Sequence, residues 1–557
     1  MWEKSLVVGA YFVVLLGIGF FARRRAHRTT EDYFVASRTL PGWVLFFTMA
    51  ATNFSAFTVF GFSGAGWSLG YSFYPIMAFG TGFMALSFYF IGRPVWRLGK
   101  ERGLLTPPEL VFDRFGSPTL RLLFLGVMVV FTLPYLAMQP MAAGYALQGL
   151  LGIPYFAGAV LITVIMLVYT FFGGFRGVAW TDVFQGGMIL LLLLIALGVI
   201  TASFGGLSAA NQTAASKWPE LFSRPGMGGS FSAGIWLGYM LLWLLCDPMF
   251  PQLFQRFYAA RDEQALNTTM AIYPLITGLL FLLPVTIGVV GRLAFPELPA
   301  GTASDQILPL LLARCTPSVL EALVLTAALA ALMSTLDSQL LTLSSMFTRD
   351  LFKHRRKDAS SPWMGKLFVV VLALAGLAIA WQPPASFLEI ATQTFTGLAV
   401  LFPTVIAALY WKRATARGAI TSIVVGEGLV GGYHFHLLPD FGTLPVVPVV
   451  LVTAVVLIVV SLLTQAHPQA RAPEAKRGER RGRNWQWALG FGLLFLLGND
   501  YWMWGNSRLG PLNFPWWMWY FFGLCLLMAF AFWRFAHHTS PGPPRDQSQR
   551  NSEKAVK

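Results

Sequence analysis

What most limits the folds open to this chain is a succession of apolar stretches of about 18 to 28 residues, each long enough to cross a ~30 Å hydrocarbon core as a helix. One soluble core could not hide them all, because 56% of the 557 residues are hydrophobic and only 12% are charged. Their solvent is a lipid bilayer. A membrane β-barrel would need shorter segments of alternating polarity, and none occur. The formal charge of +15 is the kind of excess that nucleic acid attracts, but here it sits in short stretches between apolar runs, where positive-inside bias puts it. Nucleic acid is therefore not an expected partner. Cys246, Cys315 and Cys525 are too far apart to suggest a zinc site or a disulfide framework. The first apolar run precedes Arg23, Arg24 and Arg25, the reverse of a signal peptide's order, and reads as a retained helix.

Apolar runs and the breaks between them predict helices at roughly 4–22, 43–66, 73–98, 119–149, 155–173, 178–203, 231–258, 266–293, 319–348, 365–382, 386–411, 416–436, 446–465, 485–500 and 515–535. The chain is thus expected to be an all-α polytopic membrane protein of about fifteen helices. Every second connection is basic: Arg23 to Arg28, Arg93 to Arg102, Arg176, Arg256 with Arg261, Arg349 with Lys353 to Lys357, Lys412 to Arg417, Lys476 to Arg483, and Arg534. The opposite connections carry few or no such residues, which predicts an outside N-terminus and an inside C-terminus. Residues 1–465 form the expected transport domain, with 466–483 a basic cytoplasmic linker, 484–535 an additional two-helix hairpin and 536–557 a disordered tail. The hairpin's Trp502, Trp504, Trp516, Trp517 and Trp519 read as interface aromatics.

Two helices look interrupted at mid-depth. The second carries Asn53, Ser55, Thr58, Gly61, Ser63 and Gly64, and the seventh carries Asp247, Pro248 and Pro251. Hydrocarbon forbids exposed backbone unless the break lines a cavity. Each break opens a five-helix block, in repeats of about 43–203 and 231–411, and this placement predicts an inverted-repeat transporter with its site at the midplane. Within the ninth helix Ser334, Asp337, Ser338, Thr342 and Ser345 recur at helical spacing, so hydroxyls and a carboxylate share one face. Oxygen ligands of this kind suit a hard alkali cation, and an intramembrane Asp is costly unless it faces such a site or water. The bland alternative is that the hydroxyls join helices. Asp182, just inside the sixth helix, has its own bland reading as a carboxylate favoured by the helix dipole. Glu389 and Glu427 read as packing or snorkelling residues near helix ends.

Four motifs resemble the sodium:solute symporter family: Glu31-Asp-Tyr-Phe-Val-Ala-Ser37-Arg38, Ala51-Thr-Asn53-Phe54-Ser55 followed by Gly61 and Gly64, the stretch from Gly173-Gly174 to Gln185, and Ala331 to Asp350. They keep order, spacing and helix placement over most of residues 1–465. The resemblance implies a leucine-transporter-like inverted-repeat fold and Na+-coupled uptake of a small organic solute across the cell's inner (plasma) membrane. It also implies a sodium site formed by the carbonyls of Ala51, Phe54 and Ala331 with the hydroxyls of Ser334 and Thr335. Some members bind a second, more cytoplasmic sodium, and the matching residues here are Asp182, Ser334, Asp337 and Ser338. Asp337 departs from the family's usual Ser; it either tightens that site or stays protonated and brings protons into the coupling.

For the solute, the resemblance leaves Thr58 and Met77 where sugar-transporting relatives carry Gln and Glu, which disfavours sugar. The stretches Leu133-Pro-Tyr135-Leu-Ala-Met-Gln139 and Phe250-Pro251-Gln252 are similar to monocarboxylate-type members. Asn53, Ser55, Thr58, Tyr135, Gln139, Asp247 and Gln252 are the candidate solute contacts. Asp247 either holds an amine, as an amino acid would require, or caps the second half-helix. A proton-coupled symporter and a membrane solute sensor on the same scaffold stay open as alternatives. No nucleophile–base pair, metal-ligand spacing or phosphate loop argues for an enzyme.

Overall fold

With no partner for backbone N–H and C=O groups in hydrocarbon, apolar runs must satisfy them within the segment. The computed structural model describes residues 2–25, 29–352, 362–439, 441–465, 470–471 and 484–539. Among these, every regular element is helical, and extended pairing is limited to the isolated bridges Leu40 with Ala260 and Leu509 with Pro515.

Helix α1 spans Trp2–Arg25, α2 Thr30–Val35, α3 Gly42–Asn53, α4 Phe62–Leu69, α5 Phe73–Met84, α6 Arg93–Arg102 and α7 Pro107–Phe115. The long α8, Pro118–Leu151, and α9, Tyr155–Ala202, are followed by the short α10, Leu207–Lys217. Then come α11 Ala233–Cys246, α12 Pro251–Ala259, α13 Glu263–Ala294, α14 Ile307–Cys315 and α15 Ser318–Met346. The last third holds α16 Pro362–Ala380, α17 Phe387–Ala399, α18 Phe402–Tyr410, α19 Ala416–His434, α20 Val446–Leu463, α21 Asn484–Leu497 and α22 Trp516–Thr539.

The described residues of the expected segments are largely helical, with outer ends close to those read from the sequence. Among the described residues nine helices are long and apolar enough to cross a membrane unaided, or ten if the pair Ala233–Met249 and Pro251–Ala259, bent by 53°, counts as one. The other expected segments are helical but shorter, interrupted or less apolar. The expected fifth and sixth helices are one element, α9, turned sharply at Gly174, whose φ of 57° and ψ of −168° no L-residue adopts cheaply.

Both anticipated interruptions are present. Helix α3 stops at Asn53, Phe54 and Ser55 leave the helical path, and the backbone resumes at Ala56 into a π-helical turn at Phe57–Gly61. Helix α11 tightens into a 3-10 turn at Asp247–Met249, and Phe250, with ψ 122°, turns the chain into α12.

Helix α13 packs on α3, α4, α5 and α22, while α15 packs on α1, α8, α9 and α3. The α4–α13 crossing is unusually close. A Cβ at Gly288 would lie 2.0 Å from the Ser63 carbonyl oxygen, and one at Gly66 would lie 2.3 Å from that of Val285. Neither clash involves a movable side-chain end, so the helices would have to separate. Gly288→Val is accordingly expected to cost more than the ~1–3 kcal/mol of ordinary overpacking. Loss of the monodisperse peak on size exclusion in detergent is the readout, and an unchanged peak and melting temperature would refute the packing.

The connections expected to be cytoplasmic meet at one end of the bundle. Arg38 donates to the carbonyls of Leu104 (2.9 Å) and Tyr258 (3.3 Å), Arg349 to Glu109 (2.7 Å), and Arg176 to Asp32 (2.7 Å). Arg93 and Arg97 both pair with Glu263. Arg256 corrects the expectation: counted with these connection charges from the sequence, it sits in α12 and is fully buried inside the bundle. The linker expected at 466–483 lies outside the described residues except for 470–471, as do Ala26 to Arg28, Lys353 to Lys357 and the tail beyond 539. The first residues of the expected disordered tail, 536–539, instead continue α22.

Helices α21 and α22 are docked on the core. Helix α22 lies along α13 and α5, with Met528 over Gly82 and Cys525 over Gly278. Trp517 Nε1 donates to the Phe222 carbonyl (3.1 Å), Gly505 N–H to the Arg224 carbonyl (2.9 Å), and Arg224 forms a fully buried ion pair with Asp500. The tryptophan cluster divides accordingly: Trp502 and Trp516 are exposed and Trp517 is buried.

Candidate functional site

The break in α3 rearranges backbone hydrogen bonds. Helical continuity would send the Ser55 N–H to the Ala51 carbonyl, but it turns to the Asn53 carbonyl at 3.1 Å, which releases Ala51 O from the ladder. The Thr52 carbonyl accepts from Thr335 Oγ1 at 2.9 Å, and Thr52 Oγ1 lies 3.1 Å from Ser338 Oγ. The last turn of α3 therefore faces the hydroxyl face of α15. Ala51, Phe54, Ala331, Ser334 and Thr335 are all buried there, and Ser334 Oγ makes no hydrogen bond.

Asp182, Ser334, Asp337 and Ser338 also converge, fully buried, around Arg256. Arg256 Nη2 donates to Asp182 Oδ2 at 2.9 Å and to Ser338 Oγ at 2.7 Å. Its Nε donates to Thr48 Oγ1 at 3.0 Å and its Nη1 to the Gln252 carbonyl at 2.9 Å. Thr48 in turn donates to Asp182 Oδ2, and Ser338 to Asp337 Oδ1 at 3.3 Å. The other Asp182 oxygen, near Ser334, has no firm hydrogen bond.

On the far side of the α3 break lies a second, more apolar cluster. Phe57, Tyr135, Trp243, Phe250 and Phe395 pack together, mostly edge to face, with Phe250 and Phe395 centroids 4.7 Å apart and Tyr135 and Phe395 5.0 Å apart. Four buried polar atoms here have no hydrogen-bond partner: Asp247 Oδ2, both amide atoms of Gln252, and Trp243 Nε1. Native interiors pair nearly all buried polar groups unless a ligand or water is to meet them. Asn53, whose amide faces Asp247, donates to the Tyr273 hydroxyl at 2.8 Å.

The remaining expected solute contacts are used internally. Gln139 Oε1 accepts from the Ala56 N–H at 3.1 Å and its Nε2 donates to the Tyr135 carbonyl, so it ties the broken backbone to α8. Ser55 Oγ accepts from the Phe57 N–H (3.2 Å), and Thr58 Oγ1 reaches the Asn53 carbonyl (3.4 Å). The structure thus brings Asn53, Tyr135, Asp247 and Gln252 around the orphaned atoms, while Ser55, Thr58 and Gln139 hold the break. Missing from the sequence reading were Arg256, Trp243, Phe395 and Tyr273. Arg256 alone had a signal, a cation inside a predicted helix.

A profile of the sodium:solute symporter family matches residues 33–426. The chain belongs to the sodium:solute symporter family. It is a sodium-coupled solute transporter, not an enzyme. It is 28% identical over 478 residues to the sodium/pantothenate symporter of Escherichia coli, covering 84% of this chain and 98% of that one. To the sodium/proline symporter of Staphylococcus aureus it is 27% identical, over 83% of this chain and 93% of the other. Among solved structures, a Na+-coupled sialic acid symporter in a substrate-bound outward-open state superposes with a TM-score of 0.70 at 20% identity, over 84% of this chain and 99% of that one. The nucleobase-cation symporter Mhp1 superposes with a TM-score of 0.55 at 14% identity, over 81% and 98%. These two likenesses show a shared fold.

Proposed function

We propose that this symporter moves one small organic solute, of the amino-acid or hydroxy-acid kind, into the cytoplasm together with sodium by alternating access. Sodium binds to the carbonyls of Ala51, Phe54 and Ala331 and the hydroxyls of Ser334 and Thr335, drawing α3 and α15 together. The observation that carries this reading is the meeting of the broken end of α3 with the hydroxyl face of α15, with Ala51 O released and Ser334 Oγ unpartnered. An ion that binds one conformation better than the other is sufficient for coupling.

The solute lies next to the α3 break, its apolar body against Tyr135, Trp243, Phe250 and Phe395. Asp247 Oδ2 accepts from its amine or hydroxyl, and Gln252 and Trp243 meet its polar end. The orphaned atoms at these positions support that assignment. The curated relatives named for pantothenate and proline, both small and carboxylate-bearing, fit a pocket of this kind. All fifteen helical segments span the inner (plasma) membrane, with the N-terminus outside and the C-terminus inside, in keeping with the arginine-rich end of the bundle. Residues 1–465 are the transport domain and 484–535 an accessory hairpin.

Thermal stability of the purified protein, measured with amino acids, pantothenate, other small carboxylates and sugars in Na+ or K+, tests the reading. A transported solute present at ~100 times its Kd adds about 2.7 kcal/mol to stability, and that gain is expected in Na+ only. A solute that stabilises equally in both salts would remove sodium from the coupling and favour protons or a sensor role. Uptake into proteoliposomes separates those two.

A further inference from the structure

We propose that Arg256 is a tethered cation occupying the place of a second coupling sodium, so that one sodium accompanies each solute. This rests on the sodium site proposed above. Asp182, Ser338 and Thr48 present a carboxylate and two hydroxyls within the bundle, a set of hard oxygens that calls for one positive charge. The guanidinium supplies it. Nη2 lies 2.9 Å from Asp182 and 2.7 Å from Ser338, Nε lies 3.0 Å from Thr48, and Nη1 is satisfied by the Gln252 carbonyl. Arginine suits the task because its charge is permanent, its donors are fixed in a plane and it is weakly hydrated. The Phe175 ring, 5.2 Å from the guanidinium carbon, closes another side.

A sodium ion on the same Asp182 oxygen would sit against this guanidinium in a dry interior, where like charges repel strongly. Arg256 also sits on the half-helix that follows the Asp247–Phe250 break, and its hydrogen bonds reach α3, α9 and α15. A side chain thereby joins the elements that an ion would otherwise bridge.

Sodium bound per molecule, measured with radioactive sodium by equilibrium dialysis of the purified full chain, tests the assignment. The wild type is expected to bind one sodium and Asp182→Asn also one, since the carboxylate already has its cation. Arg256→Gln opens the pocket and binds two, with a sodium Hill coefficient near 2 in place of 1. Arg256→Lys keeps the charge and binds one. Because Arg256→Gln leaves Asp182 buried without a counter-charge, it is expected to be stable only in sodium. The double variant Arg256→Gln/Asp182→Asn folds in either salt and returns to one ion. Two ions on the wild type falling to one in Asp182→Asn would overturn the tethered-cation assignment and leave the Ser334/Thr335 site standing, as would a folded Arg256→Gln that binds only one. Undiminished binding in Ser334→Ala/Thr335→Ala would instead strike the underlying sodium site.

Discussion

A chain carrying both Ser334→Ala and Thr335→Ala is expected to need ~30-fold or more sodium for half-maximal solute uptake, while still inserting and folding. Each hydroxyl removed from a buried ion takes away an interaction of ~1–3 kcal/mol, and 1.4 kcal/mol is a factor of ten. The two positions lose different things. Ser334 Oγ has only the neighbouring Asp182 oxygen beside it and no firm hydrogen bond to give up, so its removal acts mainly on the ion. Thr335 Oγ1 also donates to the Thr52 carbonyl, so its removal loosens the contact of α3 with α15 and lowers stability by about 1 kcal/mol as well. Thr342→Ala is the control on the same helix. Its hydroxyl donates to Gln255 at 2.5 Å, away from the α3 break, so it should shift melting without shifting sodium dependence. Sodium titration of uptake in proteoliposomes distinguishes these outcomes. An unchanged sodium requirement in the folded double variant would remove the site.

The helices and both interruptions were legible because bilayer physics writes them into composition: long apolar runs must be helical, and polar, Gly and Pro residues mid-run mark where they cannot be. The hydroxyl face of α15 followed from period alone, since Ser334 and Ser338 are one turn apart. What could not be read was which way a side chain turns and what it meets across the fold. Arg256 lies near the end of a predicted helix, where a cation reads equally well as a connection charge. Only the packing of α12 against α3 and α15 shows it pointing inward. Gln139 has the chemistry of a solute contact, yet a broken helix creates its own demand for acceptors, and the Ala56 N–H took it. Trp243 and Phe395 were invisible because within an apolar run an aromatic facing a pocket and one facing lipid look alike. Arg224 and Asp500 are separated by most of the second half of the chain, and no local pattern pairs them.

That last pair gives the prediction with the largest effect on stability. Asp500→Ala is expected to destabilise the protein by ~3–5 kcal/mol, because it strands a fully buried guanidinium without its counter-charge. The rings of Trp517 and Trp236, 4.5 and 5.5 Å from the Arg224 guanidinium carbon, soften the loss through cation–π attraction, but aromatic faces do not replace an ionised carboxylate. Replacing both partners by apolar residues, as in Arg224→Met/Asp500→Leu, removes the uncompensated charge and should cost far less, since paired buried charges contribute little net stability beyond their own desolvation. The comparison also tests the docking of the hairpin. The pair sits beside the Gly505-to-Arg224 and Trp517-to-Phe222 hydrogen bonds, so losing it should release the α21–α22 connection first and expose residues 498–515 to limited proteolysis before the core melts. Melting temperature in detergent and the order of cleavage are the two readouts. If the single and double variants melt alike, the ion pair does not fasten the hairpin, and the seam of Gly82 and Gly278 against α22 holds it alone.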